Sequence, residues 1–320
     1  MNQHICPENT EISQIDFANA SYSISPERES IPDESLSHSI AQYGILHPPI
    51  IKEKNSGLFV IVTGRKRLTA LHTLFQKEKS CTCMVIPAQI PEIDTFSIML
   101  EEVLTSRQLT PIEKAIFLQK ISPLAEENHI VKKFLPRLDL PPAPFSIKQS
   151  IILLTLEESL VLAIHHGTIN ETVARDMLPL TPQDRLAVFN IISSLRLNTA
   201  YQKKLLNICR ELAGRENRTI ISILADNGVQ DILNHKKANT PQKTKNLMNW
   251  LSGRHMPRSH QAEVEFKRFV ASMHLPRNVS VDHTPFFEDD SVILSIIFSN
   301  RESLQTAWDT IKNEIEDKGN

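Results

Sequence analysis

The run LFVIVT over 58–63 stops at Gly64 and gives way at once to three cations, Arg65, Lys66 and Arg67. Its β-branched and aromatic residues read as a buried strand. Leu68, Leu71, Leu74 and Phe75 then recur at helical spacing, so 65–76 reads as a helix with the cations in its first turn. The first turn of a helix carries backbone N–H groups without intrahelical partners and the positive end of the dipole, where an exposed cation costs roughly 0.3–1 kcal/mol. Three in a row are either a basic surface turn or one side of an anion site. A glycine between strand and helix lets the backbone approach closely, and a polyphosphate suits that geometry.

The flanks extend the pattern. Residues 36–43 read as a helix stopped at Gly44, with Pro48 and Pro49 interrupting before a strand at 50–52 and a turn at Asn55, Ser56 and Gly57. Residues 81–86 read as a further strand on which Cys81 and Cys83 share a face, either as packed thiols or as two ligands of a metal. A helix over 95–104 follows, and Thr110, Pro111 and Glu113 form a capping box that starts a helix running to about Ile121. Beyond it the sequence turns helical, with starts at 168–171, Thr181-Pro182 and Thr240-Pro241, and with Gly167 closing a helix over 157–166. Strands over 279–282 and 292–298 flank a turn at 288–290, and a last helix runs from Arg301 to about Asp317.

Charge is segregated along the chain. The net formal charge is only -2, yet residues 201–280 hold fourteen Lys and Arg against six Asp and Glu, while 1–63 and 281–320 are acidic. A field of that sign on one surface attracts phosphates, whereas acidic surfaces elsewhere limit indiscriminate binding. Lys203, Lys204, Arg210, Arg215, Arg218, Lys236, Lys237, Lys243, Lys245, Arg254 and Arg258 supply it, and a helix end at Gly253 would put Arg254 and Arg258 on an exposed loop. The alternative is a set of solvated helical faces. With 41% hydrophobic residues the chain can build a core, its apolar runs are too short to span a bilayer, and residues 1–20 show no secretory pattern. A cytoplasmic protein without a membrane partner is expected. Four cysteines form no disulfide framework in a chain of 320 residues.

The run SIAQYGILHP over 39–48, then FVIVTGRKRLTAL over 59–71, resembles the N-terminal domain of the ParB chromosome and plasmid partition family. That family carries a serine, glycine and proline in the first run and G-E-R-R-x-x-A in the second. Gly64, Arg67 and Ala70 match, Lys66 is a conservative replacement, and Arg65 replaces an acid. LTPIEKA over 109–115 is similar to the helix start that follows in the family. The resemblance covers about residues 10–121 and implies that loops at Gly44, His47, Pro48, Gly64 and Arg65 hold CTP with Mg2+, with Lys66 and Arg67 at the phosphates and with Glu102 and Arg107 in the segment that helps hold the triphosphate. It also implies that nucleotide closes two protomers into a clamp on double-stranded DNA, associated with the nucleoid and served in some members by a partition ATPase. The family's E-N-x-x-R segment is altered: Glu102 keeps the acid, Val103 replaces the amide, and Arg107 lies one residue late, with Ser106 in its place. Sulfiredoxin enzymes share the domain shape but need a cysteine in the turn, where this chain has Arg65 and Lys66.

Residues 130–156 align with the family's helix-turn-helix, with 146–154 as reading helix and Lys148 and Gln149 as the side chains able to reach bases or phosphates. The segment 165–169, which holds His165 and His166, resembles the continuation and places both histidines at a helix C-terminus. The expected architecture is α+β: a ParB/sulfiredoxin-like nucleotide-binding domain over 1–121, a helix-turn-helix-like domain over 122–200, a basic helical region over 201–275 and a small α+β unit over 276–320. The expected function is DNA binding under CTP control, in partition, plasmid or mobile-element maintenance or transcription control. The alternatives are a catalytic member of the fold, either a nucleotide-dependent phosphotransferase or a weak CTPase, and an adaptor that has lost both ligands.

Overall fold

The computed structural model describes residues 5–26, 33–75, 79–283 and 291–316, with the side chains of 258–260, 309–311 and 313–316 outside that description. The chain divides into two compact units, residues 1–203 and 204–320. The described residues are a mixture of helices and sheet, an α+β chain.

The first unit opens with β1 (Cys6–Glu11), β2 (Ile15–Asp16), α1 (Glu34–Tyr43), β3 (Ile50–Glu53), β4 (Phe59–Ile61), α2 (Arg65–Phe75) and β5 (Ser80–Ile86). The strands form one mixed sheet in the order β1-β5-β3-β4-β2. β1 runs antiparallel to β5 and β3 antiparallel to β4, whereas β5–β3 and β4–β2 are parallel. The apolar run at 58–63 supplies a strand of only three residues, because β4 pairs with β3 just from Phe59 to Ile61. Val62 and Thr63 instead turn both their N–H groups to the Ile50 carbonyl, which ends the ladder and begins the approach to α2. Cys81 and Cys83 share a face, their sulfurs 3.6 Å apart. On that face Cys83 packs with Ile51, Ile61 and Leu68, which seats α2 against the sheet.

α3 (Glu92–Ser106), α4 (Pro111–Ile121), α5 (Glu127–Lys133), α6 (Pro144–Ile151), α7 (Glu158–His165), α8 (Glu171–Met177) and α9 (Pro182–Leu195) complete the unit, and α10 (Thr199–Glu216) carries the chain past residue 203. The capping box of α4 is fully formed, with the Thr110 hydroxyl accepting from the Glu113 N–H and the Glu113 carboxylate accepting from the Thr110 N–H. A large core joins the sheet to these helices through Val62, Ile86, Phe96, Met99, Phe117 and Phe134. The reading helix begins two residues earlier than the sequence suggests, because Pro144 occupies the first helical position. It ends at Ile151, where 152–155 tightens into a 3-10 turn.

The second unit holds α11 (Ile220–Leu224), α12 (Asn227–Asn234), α13 (Thr240–His255), α14 (Pro257–Ser272), β6 (Val279–His283), β7 (Val292–Ile296) and α15 (Arg301–Glu316). β6 and β7 pair antiparallel as a two-stranded sheet. The expected turn at 288–290 and the end of the last helix at Asp317 lie outside the described residues. Gly228 of α12 lies under Trp250, where a Cβ would sit 2.5 Å from the indole nitrogen, so the missing side chain is what lets the ring close the α12–α13 contact. No described helix is long and apolar enough to cross a membrane.

Candidate anion-binding cavity and basic surfaces

Gly64 fixes the junction between β4 and α2. Its φ of +80° is open to glycine but strained for other residues, and a Cβ there would sit 2.7 Å from Pro49 Cβ and 2.9 Å from an Arg67 guanidinium nitrogen. The first three residues of α2 then point to different places. Arg65 donates to the Phe17 carbonyl at 2.8 Å and to that of Asn19, binding the 17–19 turn to the helix start. Lys120 holds the adjoining carbonyls of Ala20 and Ser21 at 2.9 and 2.7 Å. Arg67 turns away and donates to the carbonyl of His47, tying down the 44–49 loop. Burial pulls the Arg65 and Arg67 guanidinium groups below their ordinary range, partly countered by Asp16 and by Glu102. Lys66 is exposed.

Beside this junction lies a cavity of about 500 Å³, within the usual range for a small-molecule site. Tyr22, Ile24, Ile61, Val62, Met99 and Val103 give it an apolar end. Thr63, Gly64, Arg65, Lys66, Arg107, Thr110, Glu113 and His165 give it a polar one. The Thr63 hydroxyl, on a residue only 9% exposed, is the one buried side-chain polar atom without a hydrogen-bond partner among the described residues. A ligand acceptor or donor in the cavity would satisfy it.

Of the predicted nucleotide residues, Gly64, Arg65, Lys66 and Arg107 line this cavity. Gly44, His47, Pro48, Arg67 and Glu102 do not. Arg107 reaches it despite its late position, because α3 ends at Ser106 and Arg107 is extended. Ser106 caps its own helix on the Val103 carbonyl. The guanidinium grips Glu113 with two bonds of 2.7 and 2.6 Å. Burial alone would push the Glu113 carboxyl up, but Arg107, the Thr110 N–H and the charge of His165 outweigh it and hold the carboxyl below its ordinary range. Thr63 and His165 were not read from the sequence as site residues: Thr63 looked like the last residue of a strand, and His165 is joined to the cavity only by tertiary packing. There its Nδ1 lies 2.9 Å from the Thr110 hydroxyl.

The donor set does not fit a protein-held magnesium ion. Glu113 is its one carboxylate and is occupied by Arg107 and the Thr110 N–H, and no group of three or more His, Cys, Asp or Glu suited to a metal exists among the described residues.

The basic surfaces differ from one another. Lys148 and Gln149 are exposed on α6, with the Gln149 side-chain carbonyl accepting from Arg175 at 3.0 Å. Lys203, Lys204, Lys236 and Lys237 are exposed and make no ion pair among the described residues. Arg254 corrects the sequence reading: α13 runs through Gly253 to His255, so Arg254 belongs to the helix's last turn and not to an exposed loop. It pairs with Glu216 at 2.8 and 2.6 Å and with Asp226, while Arg218 also grips Asp226 at 3.1 and 2.7 Å. Bonds from Arg218 and then Arg254 hold the Asp226 carboxyl down at about 2. Arg215 donates to the backbone carbonyls of Arg254 and His255. Lys243 donates to the Leu233 carbonyl at 2.6 Å, so four of the predicted cations are engaged within the unit. The Arg258 side chain lies outside the described residues.

No family model matches the sequence. The nucleoid occlusion protein of Geobacillus sp. (strain WCH70) is 30% identical over 155 residues, 48% of this chain and 51% of that protein. That of Bacillus thuringiensis (strain Al Hakam) is 27% identical over 169 residues, 52% of this chain and 54% of the relative. The chain is similar to nucleoid occlusion proteins over about half of its length. It spans about half the length of the curated relatives it matches. The chain also overlaps the solved C-terminally truncated chromosome-partitioning protein ParB of Caulobacter crescentus complexed to the centromeric parS site, at 16% identity and a TM-score of 0.35 over 62% of this chain and 98% of that one.

Replacing Gly64 by Ala adds a Cβ against Pro49 at a left-handed backbone position. The first unit is expected to lose about 1–3 kcal/mol. Urea unfolding checks this as a lower midpoint at constant slope; an unmoved midpoint would mean that the junction relaxes at no cost.

Proposed function

We propose that this chain is a DNA-binding protein of the partition type whose cavity beside Gly64 takes CTP. The observation that carries the reading is the cavity itself, with an apolar end sized for a base and a polar end where Gly64, Arg65, Lys66 and Arg107 meet the unsatisfied hydroxyl of Thr63. Phosphates are the ligand chemistry that suits a helix start bearing cations. The choice of CTP among nucleotides rests on the family resemblance of 39–48, 59–71 and 109–115. Arg67 acts from behind the site: by holding the His47 carbonyl it keeps the 44–49 loop against Gly64.

Double-stranded DNA is the second ligand. Exposed Lys148 and Gln149 on α6, and exposed Lys203, Lys204, Lys236 and Lys237, supply phosphate contacts, with Gln149 able to read adenine if Arg175 releases it. A nucleoid location follows from DNA binding.

The species that binds is a homodimer joined through the second unit. β6 and β7 form a sheet of two strands, marginal on its own, and Val292, Ile293 and Leu294 are 54%, 52% and 59% exposed. Ile297, Leu304 and Trp308 extend the apolar surface. A second copy pairing here would complete the sheet and cover these side chains.

Three measurements test the proposal. Calorimetric titration with CTP, ATP and GTP is expected to show CTP binding, weakened at least tenfold in Lys66→Ala; no binding of any nucleotide would favour the adaptor, and turnover of labelled CTP the catalytic alternative. DNA affinity is expected to fall log-linearly with salt, by a slope of about 0.9 per phosphate contact, and Lys236→Glu with Lys237→Glu to weaken all sequences alike; a flat salt response argues against phosphate contacts. Leu294→Asp is expected to convert a dimer to a folded monomer in sedimentation; an unchanged mass moves the interface elsewhere.

A further inference from the structure

Arg107 lines the cavity yet is already held by a carboxylate. Its partner Glu113 is almost wholly buried, with a side chain 3% exposed, whereas Arg107 is half exposed and able to move. A phosphate arriving at Arg65 and Lys66 would compete for that guanidinium. Pulling it away would strand a buried carboxylate, and removing one partner of such a pair is strongly unfavourable unless another cation replaces it. The cavity contains one group that can become that cation on demand. His165, reaching in from α7, lies 2.9 Å from the Thr110 hydroxyl, and Thr110 also gives its N–H to Glu113.

We infer that a phosphate-bearing ligand takes Arg107 from Glu113 and that His165 gains a proton to replace it, so that binding at this cavity takes up a proton. This rests on the nucleotide reading of the cavity. The only bonds that change are those of one proton, which leaves a solvent or buffer acid and forms an N–H bond on the imidazole, while one ion pair is exchanged for two. Thr110 accommodates both states, since its hydroxyl donates to a neutral ring nitrogen or accepts from a protonated one. The charged groups facing the exchange are Arg107 at the end of α3, Glu113 on α4, and Arg65 and Lys66 on α2, with the His166 ring 5.1 Å from that of His165. The three cations oppose protonation until the phosphate neutralises them, which is why the proton would arrive with the ligand and not before it. When His165 is charged it lowers the Glu113 carboxyl, in agreement with their proximity.

The sign follows from linkage. A group that is protonated in the complex and neutral in the free protein makes affinity fall as pH rises, up to tenfold per unit while the uptake is complete. At pH 8 the terminal phosphate of CTP is fully ionised and contributes no proton of its own. Calorimetry of CTP binding at that pH, in HEPES and in Tris buffers of different ionisation enthalpy, is expected to report about one proton taken up per nucleotide by the full chain. His165→Gln should abolish the uptake and bind about tenfold more weakly. Glu113→Gln keeps the capping box, frees Arg107, and should abolish the uptake while binding CTP at least as tightly as the native chain. Far-UV circular dichroism checks that each variant is folded. Native binding without proton uptake, or uptake that survives in Glu113→Gln, overturns the exchange but leaves the cavity a nucleotide site. Absence of CTP binding to the native chain overturns both.

Discussion

The contact between Gly64 and Pro49 sets the geometry on which the first unit's cavity depends. Because no Cβ intervenes, the chain leaves β4 in a left-handed turn and enters α2 with its first N–H groups beside Thr63 and its cations spread in three directions. One arginine pins the 17–19 turn, another pins the 44–49 loop, and the lysine between them remains exposed. The unfavourable placement of cations at a helix start is therefore relieved first by backbone carbonyls, and the remaining positive potential is left facing the cavity. A cavity lined this way is preorganised by the protein's own main chain.

Much of this was legible in the sequence where a local rule has a local outcome. The glycine stop at Gly44, the turn at Gly57, the capping box at Thr110 and the shared face of Cys81 and Cys83 follow from backbone sterics, caps and strand period. The misread boundaries were decided by partners distant in sequence. Gly253 looked like a helix terminator, but α13 runs on because Arg254 and His255 in its last turn find acids and a favourable dipole end. The strand at 58–63 was shortened because Val62 and Thr63 share a single carbonyl of the neighbouring strand.

The candidate site was legible only in part, and the division is physical. Gly64, Arg65 and Lys66 are contiguous and carry their own signal. Arg107 lay one residue out of the family register, and only its extended backbone after α3 restores it to the cavity. Thr63 is distinguished by a missing hydrogen bond, a property of the fold and not of the residue type. His165 stands 55 residues from the Thr110 it touches, and no periodicity connects them. For the basic region, a count of charges gave the sign of the field but not which cations were neutralised internally.

The knot of Arg218, Arg254, Glu216 and Asp226 separates two things that ionic strength acts upon. Its charges meet at hydrogen-bonding distance on partly buried side chains, where mobile ions screen poorly. Lysines on the open surface have no such shelter. A rise in salt would thus strip the second unit of loosely held polyanions while its own scaffold stays knitted, so that release and unfolding occupy different ranges of the same variable.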